Sequence, residues 1–122
     1  MIKELNQLAK KISSSVHFIN DDQRKKIHLS AVIINNFVNH LILAAEDLLV
    51  HEDIDPLILQ PLLKETIRKQ KVQGAFDAQT GPARRMDTKT MEDHLDLLKQ
   101  HKTYKAIYTT ISKSIQKKYN KK

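Results

Sequence analysis

The sequence predicts an all-α fold, a helical bundle around one long central helix. Apolar residues recur every three to four positions along most of the 122 residues, and only two glycines and three prolines interrupt them. A hydrophobic fraction of 40% with 29% charged residues is typical of a globular chain. This length fits one domain, which should bury roughly two-thirds of its unfolded surface.

The longest predicted helix covers residues 22–51. Asn20 and Gln23 have the spacing of a capping box at its start. At about 1.5 Å per residue this helix spans ~45 Å, whereas a compact globule of this length is only about 35 Å across. We therefore expect the helix either to protrude or to be covered by a second subunit. Its apolar stripe alternates steps of four and three through Ile27, Ala31, Ile34, Val38, Leu41, Ala45 and Leu48.

The same helix carries apolar residues on a second face. Ile33, Phe37 and Ala44 lie away from the stripe, and such additional apolar surface predicts a homodimer. From Ile27 to Ala45 there is no charged residue, which approaches the length that crosses a membrane. Polar residues inside the segment argue against membrane insertion, and these are His28, Ser30, Asn35, Asn36, Asn39 and His40.

Proline, glycine and capping residues separate the later helices. Asp55-Pro56 begins a helix, and Pro61 should kink or restart it before it ends at Gly74. Residues 75–86 have no helical period and predict an ordered loop. Asp87 then caps a further helix. The apolar stripe of the final helix is Tyr104, Ile107, Tyr108, Ile111 and Ile115.

The first residues follow this pattern less well. A short amphipathic helix is interrupted by Ser13-Ser14-Ser15, and Val16 to Ile19 has the β-branched and aromatic character of a strand. The backbone groups of a strand need a partner, which a missing sheet or another chain would supply. An extended loop is the alternative.

The net charge of +7 comes entirely from the end of the chain. Residues 101–122 contain seven lysines and no acidic residue, whereas the rest is balanced. A solvated helix end that complements the helix dipole explains this composition, and it predicts that Lys117 to Lys122 can be deleted without loss of folding. A nucleic-acid contact is the weaker alternative, because no interleaved aromatic residues accompany the lysines.

Several classes of site lack their motifs. There is no cysteine, so no disulfide or thiolate metal site forms, and the start of the chain lacks the apolar core of a signal peptide. Both observations favour a cytoplasmic protein. No G-x-G-x-x-G, Walker loop, H-E-x-x-H or G-x-S-x-G occurs. We therefore expect no metal and no nucleotide bound by this chain alone.

The polar residues of the long helix form two adjoining faces. At about 100° per residue, His28, Asn35, Asn39 and Glu46 lie along one face, with Asn36 and His40 about a quarter-turn away. They fit either hydrogen bonds at a helix or subunit interface, or the wall of a cleft for a polar substrate. Hydrogen-bond donors for a carboxylate or phosphate come from the predicted loop, and these are Thr80, Gly81, Arg84 and Arg85.

Three segments carry a resemblance to a known family. The sequence around residues 15–115 resembles domain of unknown function 2520, the C-terminal domain that follows a Rossmann-like NADP-binding domain in bacterial oxidoreductases. The resemblance implies an all-helical substrate and dimerisation domain, similar to those of 6-phosphogluconate dehydrogenase-like and pyrroline-carboxylate reductase-like enzymes. The segments are His28-Leu29-Ser30-Ala31 with Asn35 to Leu41, then Ala78 to Asp87, then His94-Leu95.

The resemblance also implies how the chain is divided and which residues act. Residues 1–20 would form a linker helix and possible strand at the junction to a missing Rossmann domain. Residues 21–122 would form the helical substrate and dimerisation domain. The intact protein would use NADP, and this domain would be inactive alone. His40 is expected as general acid or base, with Asn36 orienting a substrate oxygen. The expected substrate-binding residues are His28, Asn39, Thr80, Gly81, Arg85 and His94.

One residue departs from the family pattern, and two other functions stay open. Met86 occupies a position where glycine often stands, and a side chain there restricts the backbone of the loop. A stand-alone helical interaction module with a basic C-terminal tail is one alternative function. A purely structural homodimer, with the asparagines at its interface, is the other.

Overall fold

The computed structural model describes Gln7 and residues 19–120 of the chain. It divides into two compact units, Met1–Asp47 and Leu48–Lys122. All regular structure in the described residues is helical, so the predicted all-α class is confirmed. The predicted strand at Val16 to Ile19 lies outside the described residues, apart from Ile19, which is in neither helix nor strand. The predicted division at residue 20 stays a prediction.

The long helix begins with the predicted capping box. Helix α1 (Asp21–Ala31) starts where the Asn20 side chain accepts from the backbone N–H of Gln23 at 2.9 Å. The Gln23 side chain accepts from the Asn20 N–H at 2.9 Å in return. Two backbone donors that the first helical turn leaves open are thereby satisfied.

A π-helical segment, Val32–Phe37, connects α1 to α2 (Val38–Val50) without a break. In a π-helix each backbone N–H bonds to the carbonyl five residues earlier, rather than four as in an α-helix. The side chains that follow the segment are therefore rotated around the helix axis relative to an uninterrupted α-helix. The predicted polar faces assumed α-helical geometry throughout, and that assumption is wrong between Val32 and Phe37. By length and composition alone, Asp21–Val50 is apolar enough to cross a membrane. The predicted absence of membrane insertion, based on its polar residues, stays a prediction.

Helix α2 is followed by a tight C-terminal turn. The N–H of Ile54 donates to the carbonyl of Leu49 and the N–H of Asp53 to that of Val50, both at 3.0 Å. Asp53 is left-handed, with φ of 57°. This is the hydrogen-bond pattern of a Schellman motif, which ends the helix and satisfies two of its last carbonyls.

The second unit contains four further helices. Asp55 caps a 3-10 turn (Pro56–Leu59), and α3 (Gln60–Gln73) restarts at Pro61 and ends at Gly74, all as predicted. Part of the predicted loop is helical, because Ala78 donates to the Gly74 carbonyl and closes α4 (Ala75–Ala78). The remaining helices are α5 (Thr88–Leu97) and α6 (Lys102–Tyr119).

Candidate functional site

The predicted site residues of the long helix are all exposed. His28 lies in α1, Asn36 in the π-helical segment, and Asn39 and His40 in the first turn of α2. Because Asn39 and His40 follow Asn36 by three and four positions, these three residues share one side of the helix. His28 precedes the π-helical segment in the sequence, whereas Asn39 and His40 follow it. The structure describes these residues as exposed, and their interpretation as the wall of a cleft stays a prediction.

The predicted loop donors lie between α4 and α5, in a loop where two residues have a positive φ. Thr80 is exposed, and Gly81 has φ of +101°, a conformation that favours glycine. Met86 also has positive φ, at 57°. The methionine therefore adopts the left-handed backbone that the expected glycine would take, and the loop follows this path despite the side chain.

Arg85 has an acidic partner in this loop. Its Nη2 lies 3.6 Å from Oδ2 of Asp87, and 60% of the Arg85 side chain is exposed. Asp87 also caps α5, accepting from the hydroxyl of Thr90 at 2.7 Å and from its N–H at 3.2 Å. The Thr90 hydroxyl, then its N–H, and to a lesser degree Arg85, lower the pKa of Asp87. An anion at Arg85 would therefore compete with Asp87.

Arg84, which the sequence analysis offered as a donor to an anion, contacts an aromatic ring in the structure. Its guanidinium lies 4.4 Å from the ring centroid of Tyr119, near the end of α6. Tyr119 stacks on Phe76 with centroids 4.7 Å apart, and its hydroxyl donates to the Phe76 carbonyl at 2.6 Å. We call Phe76, Arg84 and Tyr119 the tyrosine clasp. It connects the end of α6 to α4 and to the loop that follows α4.

His94 lies in a cavity between helices of the second unit. Its Nδ1 is 2.8 Å from the hydroxyl of Tyr108, and the two half-buried rings meet edge to face. His51 and His101 add two more imidazoles, with ring centroids 5.7 Å apart. We call this cavity of about 420 Å³ the His–Tyr cavity, and it is lined by Leu48, His51, Glu52, His94, Leu97, Leu98, His101 and Tyr108.

Sequence reasoning selected His94 and missed the other polar groups of this cavity. Tyr108 was assigned to the apolar stripe of the last helix, and its hydrogen-bond partner is 14 positions away. His51 and His101 follow the ends of α2 and α5, and neither was among the predicted site residues. The sequence did contain a signal for this contact, namely a tyrosine within an apolar stripe. A buried phenol normally has a hydrogen-bond partner, so Tyr108 could have been expected to have a polar residue beside it.

Burial raises the pKa of Tyr108 above its ordinary value of about 10. The folded protein therefore keeps this proton at pH values where the unfolded chain loses it, and stability falls as the pH rises through that range. In a spectrophotometric titration, we expect Tyr108 to contribute a transition above the ordinary tyrosine range. Tyr108→Phe should remove that transition and Tyr119→Phe should leave it; a raised transition that survives in Tyr108→Phe would contradict this assignment.

The described residues contain no group of three or more acidic or histidine side chains that could hold a metal ion. The sequence also lacks the G-x-G-x-x-G spacing of a dinucleotide-binding turn, because its two glycines, Gly74 and Gly81, lie seven positions apart. Gly74 ends α3 and Gly81 lies in the loop. The expectation that this chain alone binds no nucleotide stays a prediction.

The helices described above place the protein in the all-α class. More particularly, residues 1–115 match the model of a domain of unknown function (DUF2520), and the chain belongs to that family. The resemblance stated from the three segments is therefore confirmed.

A solved structure is similar over most of the chain. It is the crystal structure of a putative NADP oxidoreductase from Bacteroides fragilis, with 35% sequence identity and a TM-score of 0.78. The match covers 81% of this chain and 38% of that one, so the present chain spans about two-fifths of its length. None of the curated proteins matches the sequence.

Proposed function

We propose that the chain is the C-terminal substrate-binding and dimerisation domain of an NADP-dependent oxidoreductase and is inactive alone. The observation that carries this proposal is the similarity to the longer Bacteroides fragilis protein, at 35% identity and a TM-score of 0.78. The lack of a glycine-rich turn in the sequence supports it as well, because such a turn holds the pyrophosphate in dinucleotide-binding domains. We propose a Rossmann domain for that role and a cytoplasmic location.

The roles proposed for individual residues rest on their chemistry and position. His40 acts as general acid or base, and Asn36, four positions earlier on the π-helical segment, orients a substrate oxygen. His28 and Asn39 bind the substrate from the same helix. Thr80, Gly81 and Arg85 bind an anionic group, with Arg85 exchanging Asp87 for that group, and His94 contributes to substrate binding from α5.

Nucleotide binding tests the proposed division of labour. The 122-residue chain should give no measurable NADPH binding in a fluorescence titration, because its glycines form no phosphate-binding turn. A protein that carries the same residues behind their natural upstream domain should bind NADPH with micromolar affinity. Micromolar binding by the 122-residue chain, or none by the longer protein, would contradict the proposal. Binding of NADH in preference to NADPH would contradict the cofactor alone.

A further inference from the structure

The His–Tyr cavity has the features of a binding site for a ligand of one chemical class. We propose that it binds a small carboxylic acid with an apolar body, and that the carboxylate accepts a hydrogen bond from Nε2–H of His94. Tyr108 is a positioning residue in this proposal, because its hydroxyl is the proposed hydrogen-bond donor to Nδ1 of His94. Three observations carry the inference: the His94–Tyr108 hydrogen bond, the two neighbouring imidazoles and the leucines of the wall.

In the proposed site the Tyr108 hydroxyl donates to Nδ1 of His94, which is one of the two directions that this contact allows. The phenol is half-buried and stays protonated, since burial opposes its ionisation, so it has a proton to donate. Nδ1 of His94 at 2.8 Å is the acceptor within reach. A neutral imidazole that accepts at Nδ1 carries its proton on Nε2. His94 thereby presents an N–H donor on the ring atom that does not face Tyr108.

His51 and His101 increase the number of donors in the same cavity. An imidazole ring has at least one N–H in each of its protonation states, so both residues can donate to a carboxylate. His101 is held in place by stacking on Tyr104, with centroids 6.0 Å apart and planes within 12°. One acidic residue, Glu52, lines the cavity and is exposed. The donors therefore favour an acceptor-rich ligand over an amine.

The leucines determine the rest of the ligand. Leu98 is among the most buried residues of the described chain, at 7% exposure, and Leu48 and Leu97 complete an apolar wall. A volume of about 420 Å³ lies within the range of small-molecule sites. A ligand that fills this space must bury carbon beside Leu98 while its carboxylate meets the imidazoles.

The His–Tyr cavity would be part of the proposed substrate-binding role. Only the identification of its ligand as the substrate rests on the proposed function. Binding itself is measured on the 122-residue chain without nucleotide. A cavity that fails to bind leaves NADPH binding by the longer protein unaffected, and the reverse also holds. The two proposals therefore fail separately.

The probe is 3-phenylpropanoate, titrated into the chain by calorimetry and by amide NMR. We expect saturable binding, with shifts concentrated in α5 and the start of α6. The matching amide, 3-phenylpropanamide, should bind about tenfold more weakly or less, because it lacks the charge that strengthens the hydrogen bonds. His94→Gln should weaken binding about ten- to a hundredfold and Tyr108→Phe about threefold or more. Tyr119→Phe, the same change outside the cavity, should bind as the native chain does.

A second pair of variants covers the case in which His94→Gln does not fold. Leu97 lines the cavity and is 75% exposed, so Leu97→Asp should keep the fold and repel the probe. Leu62→Asp places the same charge at an exposed leucine outside the cavity and should leave binding unchanged. Equal binding of acid and amide would overturn the carboxylate class. No saturable binding, or binding that Leu97→Asp and Leu62→Asp affect equally, would overturn the site.

Discussion

Deletion of Lys117 to Lys122 is expected to destabilise the second unit, and Tyr119→Ala to reproduce most of the loss. Tyr119 stacks on Phe76, donates to the Phe76 carbonyl and lies under Arg84. An aromatic pair, a hydrogen bond and an exposed cation–π contact each contribute about 0.5–1.5 kcal/mol. Together they predict a loss of about 2–3 kcal/mol, measured by urea unfolding followed by circular dichroism.

Matched variants separate the tyrosine from the charge around it. Replacing Lys117, Lys118, Lys121 and Lys122 by serine while keeping Tyr119 should change stability little, because no salt bridge of the described residues involves Lys117 or Lys118. Tyr119→Phe keeps the stack and should cost about 1 kcal/mol for the lost hydrogen bond. If the serine variant unfolds as easily as the deletion, the lysines stabilise the protein and the tyrosine clasp does not.

The tyrosine clasp corrects the prediction that this end of the chain is dispensable. That prediction treated residues 117–122 as one lysine-rich segment, and the apolar stripe of the last helix ended at Ile115. Tyr119 is four positions beyond Ile115, one further turn of the same helix, and α6 continues to it. The composition of residues 117–122 did not reveal this contact, because one aromatic residue among four lysines hardly changes the average hydropathy of the segment.

Much of the fold followed from local signals. The capping box at Asn20, the start at Asp55-Pro56, the stop at Gly74 and the cap at Asp87 are all where the sequence placed them. Each involves residues within four positions of one another, so the chain nearby contains the whole cause. The π-helical segment has no such local marker, since a change of hydrogen-bond partner by one residue leaves the apolar period nearly intact.

The candidate site was less accessible to sequence reasoning because its contacts join distant residues. His94 was selected for its residue type, whereas Tyr108 gains its role from a partner on another helix. Arg84 and Arg85 are neighbours in sequence and have different surroundings, an aromatic ring for one and a carboxylate for the other. Only the direction of each side chain separates these roles, and the residue types alone do not give it.

The chain is expected to form a homodimer through its long helix. Ile33, Ile34 and Phe37 are 50%, 70% and 56% exposed, and α1, the π-helical segment and α2 contain no buried residue. Apolar surface of this extent marks an interface, and obligate dimers bury on the order of 2,000 Å² or more in total. Light scattering at low micromolar concentration should give about twice the 14.1 kDa mass of one chain.

A pair of charge substitutions locates the interface. Phe37→Asp should give a folded monomer, because each copy would bring an uncompensated carboxylate into an apolar contact. Asn35→Asp adds the same charge two positions away, on an exposed polar residue, and should remain dimeric. A native chain that runs as a 14.1 kDa monomer would contradict the dimer, and one that is soluble only in detergent would indicate that a membrane covers the helix instead. Unfolding of Phe37→Asp without a folded monomer would identify Phe37 as a core residue, so that the interface would have to involve another face.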